Sequence, residues 1–452
     1  MATLSAQHSS PALPSKDSQS QSETDNSTTM TNSDLAKATR KSIKKNFPMG
    51  SVMSKGQDNP ITLHSVDDQL FARIWSVIAE TMCVTVELSR TTKEAIATKV
   101  SESNACPVCI AAHTMISVVS IELDSKQVKT QEEDEKKNKQ HEQALQYADM
   151  LLDEMNRELR DNCSDATSIS SGSSIGSGGS GSKNSKKARR GRKYSHLNST
   201  AKAEVALVVL LFDHINRVVS VIMGEEMSTA MFSVPRSMAK SMEKPSAMRA
   251  MGKMMYPLLS GAFKMKHSPG MTLPLFPEEE QASLKNRKPL PAHLQGILLA
   301  GLERANAVGR VIDWVETFEK EKLVGPNVMS EDLIAFVMQQ SEKAHPAFNS
   351  PGKVAKWVER CVEEDADVEL DDLEQESGKA ITIVLLLATF APQTAYKCNH
   401  WNTVVKHVGP EMARCIVAWW SLRCTLRDAK GLDAKIDAQT MVRLLNEGLS
   451  TQ

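Results

Sequence analysis

The run Asn104-Ala105-Cys106-Pro107-Val108-Cys109-Ile110-Ala111-Ala112-His113 carries two cysteines three apart and a histidine four beyond the second. Residues three, four and seven apart share one face of an α-helix. On a helix, then, Cys106, Cys109 and His113 project together, and the imidazole stands one turn past the second sulfur, placed to take its proton. Pro107 has no backbone donor and suits a first helical position, which makes Cys106 the N-cap. Both sulfurs would sit where the helix dipole and free amides favour a thiolate. Two other readings compete. The strip Ile110-Ala111-Ala112 is apolar and would accommodate buried cysteines beside a satisfied histidine. A zinc site would need a fourth ligand, and no second CxxC or HxxxH supplies one.

Outward from this run the chain keeps a helical period. Ser65-Val66-Asp67-Asp68 has capping-box form, and Leu70, Ile74, Val77, Ile78 and Met82 follow at helical spacing. Thr91-Thr92-Lys93-Glu94 predicts a second box, opening a helix to about Ser101. Downstream, Leu145, Ala148, Leu151, Leu152, Met155 and Leu159 mark an amphipathic helix. From Thr200 to Met223 the chain is nearly all apolar except for Asp213-His214-Ile215-Asn216-Arg217, so a central helix is expected whose polar residues need partners. Asp213 and Arg217 stand four apart and can pair on the helix. A secondary catalytic role for His214, Asn216 and Arg217 is the other reading.

Pro274, Pro277, Pro289 and Pro291 mark a boundary, beyond which residues 291–318, 330–341, 351–361, 378–390 and 410–428 carry helical apolar spacing. No strand-like alternation persists. The expected fold is all-α, with two helical halves, the second lacking a CxxC. Residues 1–62 are expected to be disordered, 63–272 to form the domain that carries the CxxC, and 275–450 to form the second domain. A Ser/Gly-rich and basic stretch, 162–198, reads as a disordered insertion into the first domain. Residues 1–60 and 162–198 should be dispensable for folding, because such compositions bury too little apolar surface.

The chain has 452 residues, is 41% hydrophobic and only 4% aromatic, and has a formal net charge of -1. That balance gives no global attraction to nucleic acid or anionic membranes. Eight scattered cysteines are too few for a disulfide-stapled secreted domain and suit a reducing compartment. The longest apolar runs, Val205 to Phe212 and Ile381 to Leu387, fall short of the roughly 18 to 20 residues of a membrane span. The expectation is a soluble cytoplasmic protein without a membrane partner. The basic run Lys186 to Lys193 leaves a nuclear location open.

Glu94, Cys106, Cys109 and His113 stand in the pattern E, eleven residues, CxxC, three residues, H. This spacing resembles the AhpD-like and carboxymuconolactone decarboxylase-like superfamily, and His214-Ile215-Asn216-Arg217 looks like the "NR" helix of its peroxidase-related members. The resemblance covers residues 65 to 270 closely and 275 to 450 only in general pattern. It implies an all-helical fold that oligomerises through helix packing, and a thiol peroxidase or disulfide oxidoreductase with a hydroperoxide substrate and an external dithiol reductant. No cofactor and no metal is implied. Glu94 would be the relay carboxylate, His113 the base, and Cys106 and Cys109 the redox couple. Val108 departs from AhpD itself, which has a histidine at that position. Sequence leaves the attacking sulfur open, because the helix dipole favours Cys106 and the nearby base favours Cys109, and the lean is to Cys109. The competing reading is a non-enzymatic helical scaffold that keeps the motif as a redox sensor.

Overall fold

The computed structural model describes residues 31–47, 59–125, 130–161, 194–224, 245–283, 290–325, 328–342, 351–364 and 376–433. Among these the fold is all-α: no strand forms, and isolated β-bridges join Val84 to His267 and Val324 to Met329.

Local signals set the helices, with shifts at their starts. Asp67 rather than Ser65 caps α2 (Asp68–Ile78), its carboxylate accepting the Leu70 N–H at 2.8 Å. This helix runs on into a π-helical turn, Ala79–Cys83. The chain then enters α3 (Arg90–Ser103) from the extended residue Ser89, whose hydroxyl accepts the Thr92 N–H at 3.1 Å. The box expected from Thr91 therefore does not form, and Glu94 lies past the first turn, released from any capping duty. The cysteine helix α4 (Pro107–Ser125) begins as its sequence requires, with the Cys106 carbonyl accepting the Ile110 N–H at 3.0 Å. Next come α5 (Gln131–Asp161), α6 (Ser199–Met223) and α7 (Pro245–Phe263). α7 lies against α4, and Gly252 permits the approach: a Cβ there would meet the Met115 carbonyl at 2.8 Å.

A short helix α8 (Glu278–Ser283) leads into the second half. Gly301, at φ 117°, breaks what the sequence reads as one helix from Pro291, leaving a 3₁₀ segment (Ala292–Ala300) and α9 (Leu302–Phe318). Then follow α10 (Glu331–Glu342), α11 (Pro351–Glu364), α12 (Glu376–Phe390), α13 (Pro392–Ala395), α14 (Asn399–Val408) and α15 (Pro410–Asp433). The two halves repeat one plan. Like α2, α9 runs directly into a five-residue π turn (Glu319–Leu323), and the valine after each turn closes it, Val84 N–H to Ala79 O and Val324 N–H to Glu319 O. α2 packs on α9 and α6 on α15, while the 3₁₀ segment ahead of α2 (Thr62–Val66) leans on α15 and that ahead of α9 leans on α6. The arrangement is an approximate two-fold. α11 starts at Pro351 as α4 starts at Pro107, and it carries Lys353 and Trp357 where α4 has Cys109 and His113.

One core runs through both halves, from Leu35 to Ala429. α6 is its axis, buried continuously from residue 203 to 222. By length and composition both Pro107–Asp124 and Ser199–Met223 could cross a membrane, which corrects the expectation that no helix reaches that length. Burial of all of the second inside the bundle accounts for its apolarity.

Two corrections concern segments expected to lack order. Residues 32–46 form α1 (Asn32–Asn46), which buries Leu35, Ala36, Thr39 and Ile43 and offers the Ser42 hydroxyl to Trp75 Nε1–H at 3.0 Å. Polar composition hid four positions at helical spacing. At the end of the Ser/Gly-rich stretch, Tyr194 and Leu197 are buried, Tyr194 edges Tyr147, and Asn198 caps α6. Residues 1–30, 48–58 and 162–193 lie outside the described residues.

A buried ionic cluster joins the halves. The Glu204 carboxylate of α6 lies 2.5 Å from Arg304 of α9 and 3.3 Å from Lys93 of α3, and it accepts the Leu88 and Glu87 N–H groups. Arg304 also donates to the Glu80 and Val84 carbonyls at 2.8 and 2.7 Å. Burial pulls the Lys93 ammonium down to about 8, against the opposing pull of Glu204. Glu204→Ala would strand two buried cations, a loss of about 3–5 kcal/mol for a broken buried pair. Urea unfolding measures it. Lys99→Ala, at the half-exposed pair with Asp149, should change little, and a comparable small change for Glu204→Ala would remove the cluster from the stability of the fold.

Candidate functional site

Glu94 and His113 come from two helices packed side by side, α3 and α4, and their side chains meet. Glu94 is fully buried, and its Oε2 is hydrogen-bonded to His113 Nδ1 at 2.7 Å. Its Oε1 lies 2.6 Å from the Arg90 guanidinium, one helical turn back. Burial pushes the Glu94 carboxyl up, but Arg90 and His113 outweigh it and hold the group below its usual range. Phe212 of α6 meets the imidazole edge to face at 4.4 Å, fixing the ring plane.

Cys106 and Cys109 are free thiols 2.7 Å apart, both buried. Burial pushes the Cys106 thiol up, yet hydrogen bonds from Cys109, from the first amides of α4 and from Ser220 leave it below the ordinary thiol range. Burial and the neighbouring charge of Cys106 push Cys109 up. The first amides of α4 and Ser220 thus favour a thiolate at Cys106 over one at Cys109.

Beside them is a cavity of about 70 Å³. Cys109 and His113 line it with Glu94, Arg90 and Cys83, and its other walls are almost wholly apolar, including Met82, Ile116, Phe212 and Ile215. Cys109, and not Cys106, lines this wall. His113 and Cys109 share a helical face, but no direct hydrogen bond joins them among the described residues.

The three secondary candidates lie elsewhere. Arg217 pairs with Asp213 at 2.9 Å and with Asp428 at 3.4 Å, the intrahelical pairing open to it from sequence. Asn216 accepts from Ser101 at 3.2 Å, and Asp213 accepts from Asn104 at 3.1 Å. These bonds brace the turn that delivers Cys106, where Ala105 adopts φ 49° and the Ser101 carbonyl accepts the Cys106 N–H. His214 faces the second half, 3.1 Å from His64 Nε2 and 2.9 Å from Ser421.

Sequence reasoning missed Arg90, Cys83, Phe212 and Ser220. Arg90 was detectable as a cation four residues before Glu94 on one helix. The others reach the site only through tertiary packing. Comparisons with protein-family models, with curated proteins and with solved structures return no match for this chain.

Two predictions follow from this geometry. Mild peroxide should remove two hydrogens from the Cys106–Cys109 pair, reversibly with dithiothreitol; peptide mass spectrometry showing both thiols free would contradict it. The second concerns pH. Burial lowers His64 from 6.5 to about 4, and it lowers His214 well below its normal value. Below about pH 6.5 the unfolded chain takes up protons that these buried rings refuse, so stability is full above that value and is lost as pH falls toward 4. For His64 alone the loss from about pH 7 to about pH 5 is about 2 kcal/mol. Denaturant midpoints in wild type and His64→Gln test it, since the variant should lose less over the same interval.

Proposed function

We propose that this protein is a thiol-dependent peroxidase or disulfide oxidoreductase, similar to the AhpD-like superfamily, that reduces hydroperoxides with the Cys106–Cys109 pair. The observation that carries the reading is the Glu94–His113 bond, made across nineteen positions of sequence beside a cavity that the second cysteine lines. An isolated pair of buried cysteines would need neither a buried carboxylate nor a base on the cavity wall.

The steps follow from the positions of the groups. His113 takes the Cys109 proton, which puts a thiolate on the cavity wall. That thiolate attacks the terminal peroxide oxygen; the O–O bond breaks, Cys109 becomes a sulfenic acid, and the departing alkoxide takes the same proton back from the imidazolium. The Cys106 thiol then attacks the sulfenic sulfur, forming the disulfide, and its proton leaves with the hydroxyl group as water. One peroxide becomes an alcohol and water while two thiols become a disulfide. An external dithiol returns two electrons and closes the cycle.

Peroxide consumption with a dithiol supplied tests the proposal. Wild type should turn over many equivalents, and Cys109→Ser none. Glu94→Gln and His113→Ala should each slow thiol oxidation by about 10²–10⁴-fold, and the double variant little more, as expected for groups that act together. One stoichiometric oxidation without turnover would assign the chain to the redox-sensor class. Additive losses would separate Glu94 from the base.

A further inference from the structure

A 2.7 Å contact between Glu94 Oε2 and His113 Nδ1 is compatible with two arrangements of one proton. If Glu94 is an anion, Nδ1–H donates to it and Nε2 is left as a free base. If Glu94 is a neutral acid, its O–H donates to Nδ1 and the ring proton sits on Nε2, where it can accept nothing. Only the first arrangement serves the chemistry above. A fully buried carboxyl tends toward the second, because desolvation favours its neutral form.

The group that decides between them is Arg90. Its guanidinium lies 2.6 Å from Glu94 Oε1, the oxygen that His113 does not use. Arginine cannot give up its proton in a protein, so it supplies a permanent charge. The guanidinium is itself held in place by two aromatic rings, Phe47 at the end of α1 and Phe263 at the end of α7, whose centroids lie 5.7 and 5.2 Å from it. Those rings meet edge to face at 6.5 Å. Cys83, at the end of the π turn, accepts from the other terminal nitrogen of the guanidinium, Nη1, at 3.5 Å. His267, which follows α7, lies within reach of the charges of both Arg90 and Lys45 of α1. Lys93, on the same helix, is engaged with Glu204. Among the described residues, Glu94 is the carboxylate that pairs with Arg90.

We propose that Arg90 is the positioning residue of the thiol site: by holding Glu94 as the anion it keeps the ring proton of His113 on Nδ1 and leaves Nε2 free to take the Cys109 proton. This role rests on the peroxidase reading for its use, but not for its test. It also assigns a purpose to α1 and α7, which carry none of the reacting groups and yet clamp the residue on which the relay depends.

The test uses the full chain, reduced, labelled with ¹⁵N-histidine, in wild type, Arg90→Lys, Arg90→Gln and Glu94→Gln. Nitrogen shifts report which ring nitrogen of His113 carries hydrogen, and iodoacetamide reports the reactivity of the pair against pH. Wild type should show Nδ1–H with Nε2 bare. Arg90→Gln should move the proton to Nε2 and slow alkylation by at least about tenfold, as when a general base is lost. Arg90→Lys, which keeps a cation, should restore Nδ1–H and most of the rate. A purely structural Arg90 predicts otherwise: a lower melting temperature, with the tautomer and the pH profile of alkylation unchanged, and that result overturns the proposal. If Arg90→Gln does not fold, Arg90→Lys decides alone, since a shift of its His113 proton to Nε2 with the cation still present would refute the assignment. None of these readouts needs peroxide, so a chain that passes them and fails to consume hydroperoxide overturns the peroxidase reading and leaves the role of Arg90 intact.

Discussion

The Glu204 carboxylate is the constraint on which the arrangement depends. It sits on the axial helix α6, fully enclosed, and must be neutralised where it stands. Arg304 from the second half and Lys93 from α3 do this together, and the amides of residues 87 and 88 complete its acceptor capacity. The same Arg304 ties down the Glu80 carbonyl within the π turn and the Val84 carbonyl just after it. One buried charge therefore locks α3, α6, α9 and the approach to α3 into a single geometry. Buried ionic clusters contribute little net stability compared with apolar packing, but they tolerate few alternative arrangements.

The thiol site inherits that geometry. Lys93 and Glu94 are neighbours on α3, and the helix turns one toward Glu204 and the other toward His113. Locking Lys93 in the ionic cluster sets the rotation of α3 about its own axis, and with it the direction in which Glu94 points. Phe212, eight residues beyond Glu204 on α6, then meets the imidazole from its other side. The braces from Asp213 to Asn104 and from Asn216 to Ser101 come from the next turn of the same helix. Polar residues on α6 that look catalytic in sequence support the cysteine turn and the join between the halves.

The approximate two-fold does not extend to the cysteine helix. α4 and α11 correspond in chain order and each begins with proline, but α4 packs on α3 and α7 while α11 packs on α12 and α13. At the positions of Cys109 and His113, α11 holds Lys353 and Trp357, and Trp357 meets Phe390 of α12. What the second half returns to the first is cover for α6 and the cation that neutralises Glu204.

Sequence alone determined the helical class, the approximate positions of the helices, and the shared face of Cys106, Cys109 and His113, because these depend on local periodicity and on Pro107 at a helix start. It also brought Glu94 to notice by its spacing from the cysteines, although the reason offered for its local geometry, a capping box, gave way to Ser89. Tertiary structure decided the rest. Whether α1 orders depended on a surface for Leu35, Ala36 and Ile43 to cover, which a polar composition does not disclose. Which sulfur is better placed to become a thiolate depended on Ser220 and on burial. The role of Asp213, His214, Asn216 and Arg217 depended on partners more than a hundred residues away, and so did the fate of Glu204. Local patterns report backbone preference; the placement of charge in a dry interior is a property of the assembled bundle.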